Sequence, residues 1–162
     1  MTNKRPIEIF MPPNVLKAKM GNGGLDSSAV ERAQQAIDDL KAEFAGWLLS
    51  DVSRLVETGQ AYAKKRDLEA LGDLYRAAHD LKGHGATFDF PLVARVACSL
   101  CALTDETSNG LPLPLDLIDA HINAINVIVR DDLKDPSNRI ATELAKELEH
   151  QVAGFLKKHA AA

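Results

Sequence analysis

The chain has few aromatic residues, few cysteines and no long apolar run. Aromatic residues make up 5% of its 162 residues, whereas hydrophobic residues as a whole make up 46%, with alanine and leucine dominating. This composition favours helix over sheet. Two cysteines, Cys98 and Cys101, are too few for a disulfide framework. No apolar stretch approaches the roughly 20 residues of a transmembrane helix, so we expect no membrane association.

An excess of positive charge is also lacking. The formal net charge is −4, which argues against a nucleic-acid binder because such proteins are normally basic. Near the N-terminus Lys4 and Arg5 are basic, but Pro6, Glu8 and Pro12 interrupt any signal-peptide core. We therefore expect a cytoplasmic, monomeric protein that is long enough to bury a core without disulfides.

The chain is expected to divide into an N-terminal arm and one helical domain. Residues 1–25 mix prolines, basic residues and glycines, which predicts an arm with at most one short helix, over residues 14–20. Residues 26–162 carry apolar positions at helical spacing and are expected to form the domain.

The first helix of this domain has recognisable start and stop signals. Ser28 and Glu31 match a capping box, and Gly59 predicts that the helix ends near Thr58. We expect the aromatic residues of this helix to lie in the core. Its inner stripe is predicted to be Val30, Ala33, Ile37, Leu40, Phe44, Trp47 and Leu55.

Two further helices follow, separated by a proline. The second helix is predicted to begin near Asp67. Pro91 opens the third helix, since proline is well tolerated at the first helical position. The inner stripes are Ala70, Leu74, Ala77, Leu81 and Phe88 in the second helix, and Leu92, Val93, Val96, Leu100 and Leu103 in the third.

A loop from Thr104 to Pro114 leads to the last two helices. The fourth helix is predicted over residues 115–133, and the fifth begins with Asp135 as cap and Pro136 as its first residue. Their inner stripes are Ile118, Ile122, Ile125, Ile128 and Val129, and then Ile140, Leu144, Leu148, Val152 and Phe155. Because no segment of useful length has a strand pattern, the expected fold is an antiparallel helical bundle.

The most informative segment runs from His79 to Gly85 with the sequence His-Asp-Leu-Lys-Gly-His-Gly. At about 100° per residue, the inner stripe of the second helix lies roughly opposite His79, which should therefore face solvent. The residues within roughly 60° of His79 are Gly72, Tyr75, Arg76, Lys82, Gly83 and Ala86. Arg76 and Lys82 flank the imidazole with positive charge. Gly83 costs roughly 1 kcal/mol in a helix relative to alanine, a cost that close approach of another protein's backbone would explain.

The chemistry available at His79 is nucleophilic. An exposed imidazole is largely neutral near pH 7, so one ring nitrogen is free to attack phosphorus, and the flanking cations would stabilise an anionic phosphoryl group. The chain contains no GxxxxGK[ST] motif, no kinase glycine-rich loop and no recurring boxes of a nucleotide lid. The phosphoryl group is therefore expected to come from another protein.

These residues resemble the active-site signature of histidine-containing phosphotransfer (HPt) domains. In that signature a histidine is followed by any residue, leucine or isoleucine, lysine, glycine and then small residues. The match consists of His79, Leu81, Lys82, Gly83, Gly85, Ala86 and the aromatic Phe88. The similarity continues through residues 90–92 to Leu103 and covers roughly residues 65–106. His84 stands where such domains usually have serine or alanine, and Asp89 where many have glycine.

The resemblance implies a four-helix bundle with an additional C-terminal helix and the role of a phosphoryl carrier. His79 would be the phosphoacceptor, through Nε2. Lys82 would be the neighbouring cation, and Gly83 the small residue that leaves room for a docked partner. Tyr75, Arg76 and Ala86 would complete the docking surface. HPt domains take a phosphoryl group from an aspartyl phosphate on one receiver domain and pass it to another.

The resemblance also implies what this chain does not supply. Its partners would be receiver domains of response regulators or of hybrid histidine kinases. Such a receiver carries the acidic pocket and the Mg²⁺, so no metal or cofactor need bind this chain. The chain would thus be a carrier without an ATP site, not an enzyme.

Two other functions stay open. A phosphorylation-independent adaptor or sink would bind receiver domains through the same face. A helical metal or redox protein would use Cys98 and Cys101, although no second ligand pair accompanies them and two buried small residues are the simpler interpretation. His84 lies about 140° from His79, so we expect it at the core edge, hydrogen-bonded inside the bundle and not phosphorylated.

Overall fold

The computed structural model describes residues 27–105 and 112–160, and within these ranges it is helical apart from short connections. No strand occurs in the described ranges, so this part of the chain is all-α, as the composition predicts. The predicted arm, residues 1–25, lies outside them. The five helices are α1 (Ser27–Lys65), α2 (Leu68–Thr87), α3 (Pro91–Asp105), α4 (Leu115–Arg130) and α5 (Arg139–Ala160). None of these helices is long and apolar enough to cross a membrane.

Two compact units can be distinguished, Met1–Asp38 and Asp39–Ala162, with the boundary inside α1. The described part of the first unit is helical, and its residues are exposed except for the half-buried Ser28. The Arg32 guanidinium donates to Oγ of Ser28 there, over 3.2 Å. All candidate site residues belong to the second unit.

The first helix does not end at Gly59, contrary to the prediction. It continues to Lys65, and Gly59 is buried in its interior. A Cβ at Gly59 would collide with Cδ1 of Ile122 on α4. Gly59 therefore allows α1 and α4 to pack closely. The sequence alone does not distinguish this packing role from that of a glycine that ends a helix.

The predicted inner stripe of α1 is largely wrong. Val30, Ile37, Leu40 and Trp47 are each about half exposed, and Ala33 is exposed, whereas Leu55 is fully buried. The core contacts of α1 are made instead by Leu48, Val52, Leu55 and Tyr62. Apolar periodicity identifies a helix face, but it does not say whether another helix covers that face.

The two ends of α2 are formed by local hydrogen bonds. The helix begins near Asp67, as predicted, and Asp67 is its cap, since its carboxylate accepts from the backbone N–H of Ala70 over 2.8 Å. At the C-terminus the N–H of Phe90 donates to the carbonyl of Gly85 over 2.8 Å, and Asp89 takes a φ of 65°. This is the Schellman arrangement, in which glycine is the usual residue at the position of Asp89.

The third helix is the central element of the second unit. It begins at Pro91, as predicted, and packs against α2, α4 and α5. Its predicted inner stripe, from Leu92 to Leu103, is buried throughout. Towards α5, the Arg95 guanidinium makes two hydrogen bonds of 2.6 Å to the Glu149 carboxylate, which hold the pKa of that carboxyl below its ordinary value.

Helix α3 ends later than predicted, and α4 ends earlier. α3 still includes Thr104, whose hydroxyl donates to the carbonyl of Leu100 over 2.8 Å, so the predicted loop begins too early. α4 begins at Leu115, as predicted, but ends at Arg130 instead of residue 133. Its predicted isoleucine stripe is buried, and Val129 is half-buried.

The fifth helix begins later than predicted. The Asp135 carboxylate accepts from the backbone N–H of Ser137 over 2.8 Å and so forms a turn, not a helix cap. The cap is Asn138, whose Oδ1 accepts from the N–H of Ala141 over 3.1 Å. Ile140 and Leu144, predicted to be buried, are 83% and 41% exposed. The buried face of α5 is formed instead by Ala141, Ala145, Leu148 and Val152.

Candidate functional site

His79 lies on the outer face of α2 and is exposed, as face sorting predicts. Leu74 and Leu81, on the opposite face, have no exposed surface and supply the burial that this helix requires. Within the described part of the chain the His79 ring makes no hydrogen bond. Its one ring contact there is with Tyr75, one turn earlier, at 6.1 Å between centroids and 29° between planes. The imidazole is therefore open to an approaching partner.

The two cations predicted beside His79 differ in availability. The guanidinium of Arg76 lies 2.5 Å from Oδ1 of Asp73, so a neighbouring carboxylate offsets much of its charge. Lys82 is exposed and makes no salt bridge to any described residue. Lys82 is thus the cation free to meet an anionic group on His79.

The glycines of the motif do two different things. A Cβ at Gly83 would meet nothing within 4 Å, so this residue leaves open space on the exposed face of α2. A Cβ at Gly85, which is buried, would lie 2.8 Å from the backbone nitrogen of Ala94 on α3. Gly85 therefore allows α2 and α3 to approach, whereas Gly83 has no such packing role. Ala86, one turn beyond Lys82, is exposed and adds a second small residue to the open face.

His84 is more exposed than its predicted position at the core edge implies. Its side chain is 47% exposed, and its Nδ1 lies 2.5 Å from Oδ2 of Asp51 on α1. The ring also stacks on Phe88, with centroids 5.5 Å apart. The expected hydrogen-bond partner exists, but at an exposed seam between α1 and α2. Sorting the faces of α2 alone could not find it, because the partner belongs to another helix.

Two residues of α1 near the motif were missed by sequence reasoning. One is Asp51, and the other is Arg54, whose Nη1 donates to Oδ2 of Asp80 over 2.8 Å. Their spacing of three residues places them on one face of α1, which is the only signal the sequence offers. No local pattern indicates that this face meets α2.

An aromatic cluster lies at the C-terminal end of α2, on the side away from His79. Phe44 stacks on Phe88 with centroids 4.7 Å apart, and Trp47 lies 5.4 Å from Phe44. Trp47 is 53% exposed and Phe44 is half-buried, so the predicted core positions are wrong for Trp47 and only partly right for Phe44. A groove of about 180 Å³ adjoins the cluster and is lined by Phe44, Ala45, Leu48, Leu49, Phe88, Phe90, Val129, Asp132 and Lys134.

The two cysteines lie in different environments. Cys98 is exposed, contrary to the prediction that both are buried, and Cys101 is buried. Burial raises the pKa of the Cys101 thiol to about 11, although the positive charge of Lys82 opposes this increase. Among the residues that the structure describes, no three histidine, cysteine or acidic side chains are grouped so that they could hold a metal ion.

His121 is a fully buried histidine with both ring nitrogens satisfied. Nδ1 donates to the carbonyl of Leu117 over 2.7 Å, and Nε2 accepts from the hydroxyl of Ser99 over 3.0 Å. Burial lowers the pKa of His121, and the hydrogen bond to Leu117 partly opposes that decrease. This histidine is structural, as its isolation in the sequence suggests.

The residues around His79 thus combine an accessible imidazole, an available cation at Lys82 and open space at Gly83. This set can form a covalent bond to an electrophile brought by a large partner and can stabilise negative charge on it. Comparison with family models, with curated proteins and with solved structures found no match to this chain.

Proposed function

We propose that this chain is a phosphorelay carrier of the HPt kind. It accepts a phosphoryl group on His79 from an aspartyl phosphate of one receiver domain and passes the group to an aspartate of another. The observation that carries this proposal is the exposed, unpaired imidazole of His79, with Lys82 and Gly83 within one turn of it. The motif resemblance supplies the partner class. We further propose that the protein is monomeric and that it is located in the cytoplasm, where it would meet receiver domains.

The transfer needs no nucleotide on this chain. The lone pair of His79 Nε2 attacks phosphorus, an N–P bond forms and the acyl O–P bond breaks, so that the receiver aspartate leaves as a carboxylate. In the second step the carboxylate of an aspartate on another receiver attacks the phosphorus, and the N–P bond to His79 breaks. Mg²⁺ is expected on the receiver. The Lys82 ammonium would stabilise the anionic phosphoryl group while it resides on this chain.

The fold that we infer is an antiparallel four-helix bundle, α1 to α4, with α5 as the additional C-terminal helix. Close packing of α1 on α4 at Gly59, and of α2 on α3 at Gly85, supports it. The polar links from Asp51 and Arg54 to α2 support the contact of α1 with α2. In this arrangement α2 lies between α1 and α3, and its exposed face carries His79.

We propose that receivers dock on the face around His79, formed by Tyr75, Arg76, Lys82, Gly83 and Ala86. Four of these residues are exposed and Tyr75 is half-buried. The small side chains allow a partner backbone to come close to the imidazole, and the charges suit the acidic pocket of a receiver. Docking should be transient, because a carrier must leave one partner before it meets the next.

The test is phosphoryl transfer from a purified, phosphorylated receiver domain to this protein. We expect His79→Gln to lose acid-labile label entirely. His150→Gln, which alters an exposed histidine on α5, is the matched control and should accept label at the wild-type rate. If His79→Gln accepts label as well as the wild type, the assignment of His79 is wrong.

A second measurement separates a carrier from a phosphorylation-independent adaptor. Receiver binding by wild type and by His79→Gln is compared by calorimetry or by NMR titration. A carrier binds in both forms and transfers only with His79 present. Binding by both forms with no transfer by the wild type, from any phosphorylated receiver tested, would identify an adaptor instead.

A further inference from the structure

A second imidazole on α2 is held in a reactive geometry. His84 Nδ1 lies 2.5 Å from Oδ2 of Asp51, and the ring stacks on Phe88 with 27° between the planes. The Asp51 side chain is only 18% exposed, which makes its position more restricted than that of a surface carboxylate. One polar and one aromatic contact thus fix the orientation of this ring.

The hydrogen bond to Asp51 determines which nitrogen of His84 is free. A carboxylate accepts hydrogen bonds, so the proton of the neutral ring resides on Nδ1 and the lone pair on Nε2. Nε2 of His84 makes no hydrogen bond to any described residue, and the side chain is 47% exposed. An exposed nitrogen with its lone pair available is the nucleophilic form of histidine.

Contrary to the expectation from the sequence that His84 is not phosphorylated, we propose that it is a second phosphoryl-accepting residue, aligned by Asp51, that reacts through Nε2 with small phosphoryl donors such as phosphoramidate. This inference goes beyond the proposed function and does not depend on it, because it needs neither His79 nor a receiver domain. It is also distinct in space. Five residues along a helix place His84 about 140° around α2 from His79, on the side of α1.

The lone pair of His84 Nε2 attacks phosphorus and forms an N–P bond. The P–N bond of phosphoramidate, whose nitrogen carries three protons in the zwitterionic form, breaks, and neutral ammonia leaves with the electron pair of that bond. The ring then bears a positive charge and keeps its proton on Nδ1. Asp51 faces that proton, so the carboxylate stabilises the cation as it forms, in the way that a carboxylate supports a catalytic histidine.

The other charges near His84 leave this alignment intact. On α1, Arg54 is occupied by Asp80 of α2, so the positive charge next to Asp51 already has its own carboxylate. On α2, Lys82 points away from the seam, since it lies about 160° around the helix from His84. Asp51 is therefore the charged group in hydrogen-bond contact with the His84 ring.

The experiment uses the full-length His79→Gln variant, in which His84 is the candidate acceptor. The protein is incubated with phosphoramidate, the product is followed by ³¹P NMR, and ¹⁵N–³¹P couplings identify the phosphorylated nitrogen. We expect one phosphohistidine, bonded through Nε2 and located at His84 by mass spectrometry. Because the site is identified directly in a protein that keeps His84, the result does not depend on the folding of a His84 variant.

Asp51 is tested by adding Asp51→Asn to the His79→Gln background. An amide can present its N–H to Nδ1 and favour the wrong tautomer, so we expect labelling of His84 to slow at least several-fold. The matched control is Asp89→Asn, which removes a nearby exposed negative charge and leaves the Asp51 contact in place.

The following results would contradict the assignment of His84 or the role of Asp51. No label on His79→Gln, under conditions that label the wild type, would overturn the assignment of His84. Label on Nδ1, or an unchanged rate in Asp51→Asn, would overturn the role of Asp51. Failure of receiver transfer to His79 would leave this inference unaffected, since the donor and the acceptor are both different.

Discussion

The Tyr75 ring lies against the His79 imidazole, one turn away on the same helix, with centroids 6.1 Å apart. Tyr75 is half-buried and packs against the core, so the core fixes the position of the ring beside the exposed imidazole. In the proposed transfer Tyr75 would position His79 and would supply neither a charge nor a proton.

Replacing Tyr75 separates this positioning role from the phenol hydroxyl. We expect Tyr75→Ala to slow phosphoryl acceptance by roughly threefold to tenfold, because aromatic contacts contribute about 0.5–1.5 kcal/mol. Tyr75→Phe keeps the ring and should transfer at the wild-type rate. Transfer kinetics from a phosphorylated receiver provide the measurement, and a loss in Tyr75→Phe would point to the hydroxyl instead.

Lys82 is expected to act through its charge. Lys82→Gln should slow phosphoryl acceptance several-fold, whereas Lys82→Arg should retain most of the rate. The difference between wild type and Lys82→Gln should shrink between about 0.1 M and about 1 M salt, since the Debye length falls from ~10 Å to ~3 Å. Lys157→Gln, at an exposed position on α5, is the control. A salt-independent difference would exclude an electrostatic role.

Gly83 and Gly85 offer a matched pair of substitutions with opposite effects on stability. Gly83→Ala should raise the free energy of unfolding by up to about 1 kcal/mol, because the Cβ enters open space within a helix. The same change should slow transfer by obstructing the docking face. Gly85→Ala should lower the free energy of unfolding by about 1–3 kcal/mol, because its Cβ would crowd the Ala94 backbone.

Urea unfolding of both variants, together with transfer kinetics, checks this pair. A destabilised Gly83→Ala would mean that Gly83 has a packing role within the chain. Wild-type transfer by Gly83→Ala would mean that a partner does not approach the helix there.

Stability should fall in mild acid because of His121. Burial lowers its pKa in the folded protein, so below the ordinary histidine value of about 6.5 the unfolded chain binds a proton that the folded protein does not. This part of the stability is complete above that pH and is lost as the pH falls below it. Urea unfolding at about pH 7.5 and about pH 5.5 measures the change.

The control for this pH effect is His121→Asn, which has no titrating ring. It should be less stable than wild type at neutral pH, by about 1–3 kcal/mol, since its contacts to Ser99 and Leu117 are altered. Its free energy of unfolding should nevertheless vary less between the two pH values. Equal pH dependence in both proteins would assign the acid sensitivity to other groups.

Sequence reasoning was most reliable where the signal is local. The helix starts near Asp67 and at Pro91 depend on neighbouring residues alone, and both predictions match the observed helix starts. The outward position of His79 follows from the apolar residues of its own helix. The start of α5 was misplaced because Asp135 and Asn138 are both capable caps, and their local geometry decides which one acts.

The errors occurred where the outcome depends on another helix. Gly59 would end an isolated helix, but here it makes room for Ile122 of α4. Whether the Trp47 side chain is buried depends on whether another helix packs against that face of α1. The partner of His84 is 33 residues away along the chain, and no periodicity within α2 contains that information.

Asp89 has a consequence for engineering this protein. Its φ of 65° lies in the region where a side chain raises the backbone energy, and the turn it occupies joins the helix of His79 to the central helix of the core. A substitution to glycine would relax that turn without altering a packed side chain. In a library selected for heat resistance, position 89 is therefore where we would look first for a gain that leaves the surface around His79 unchanged.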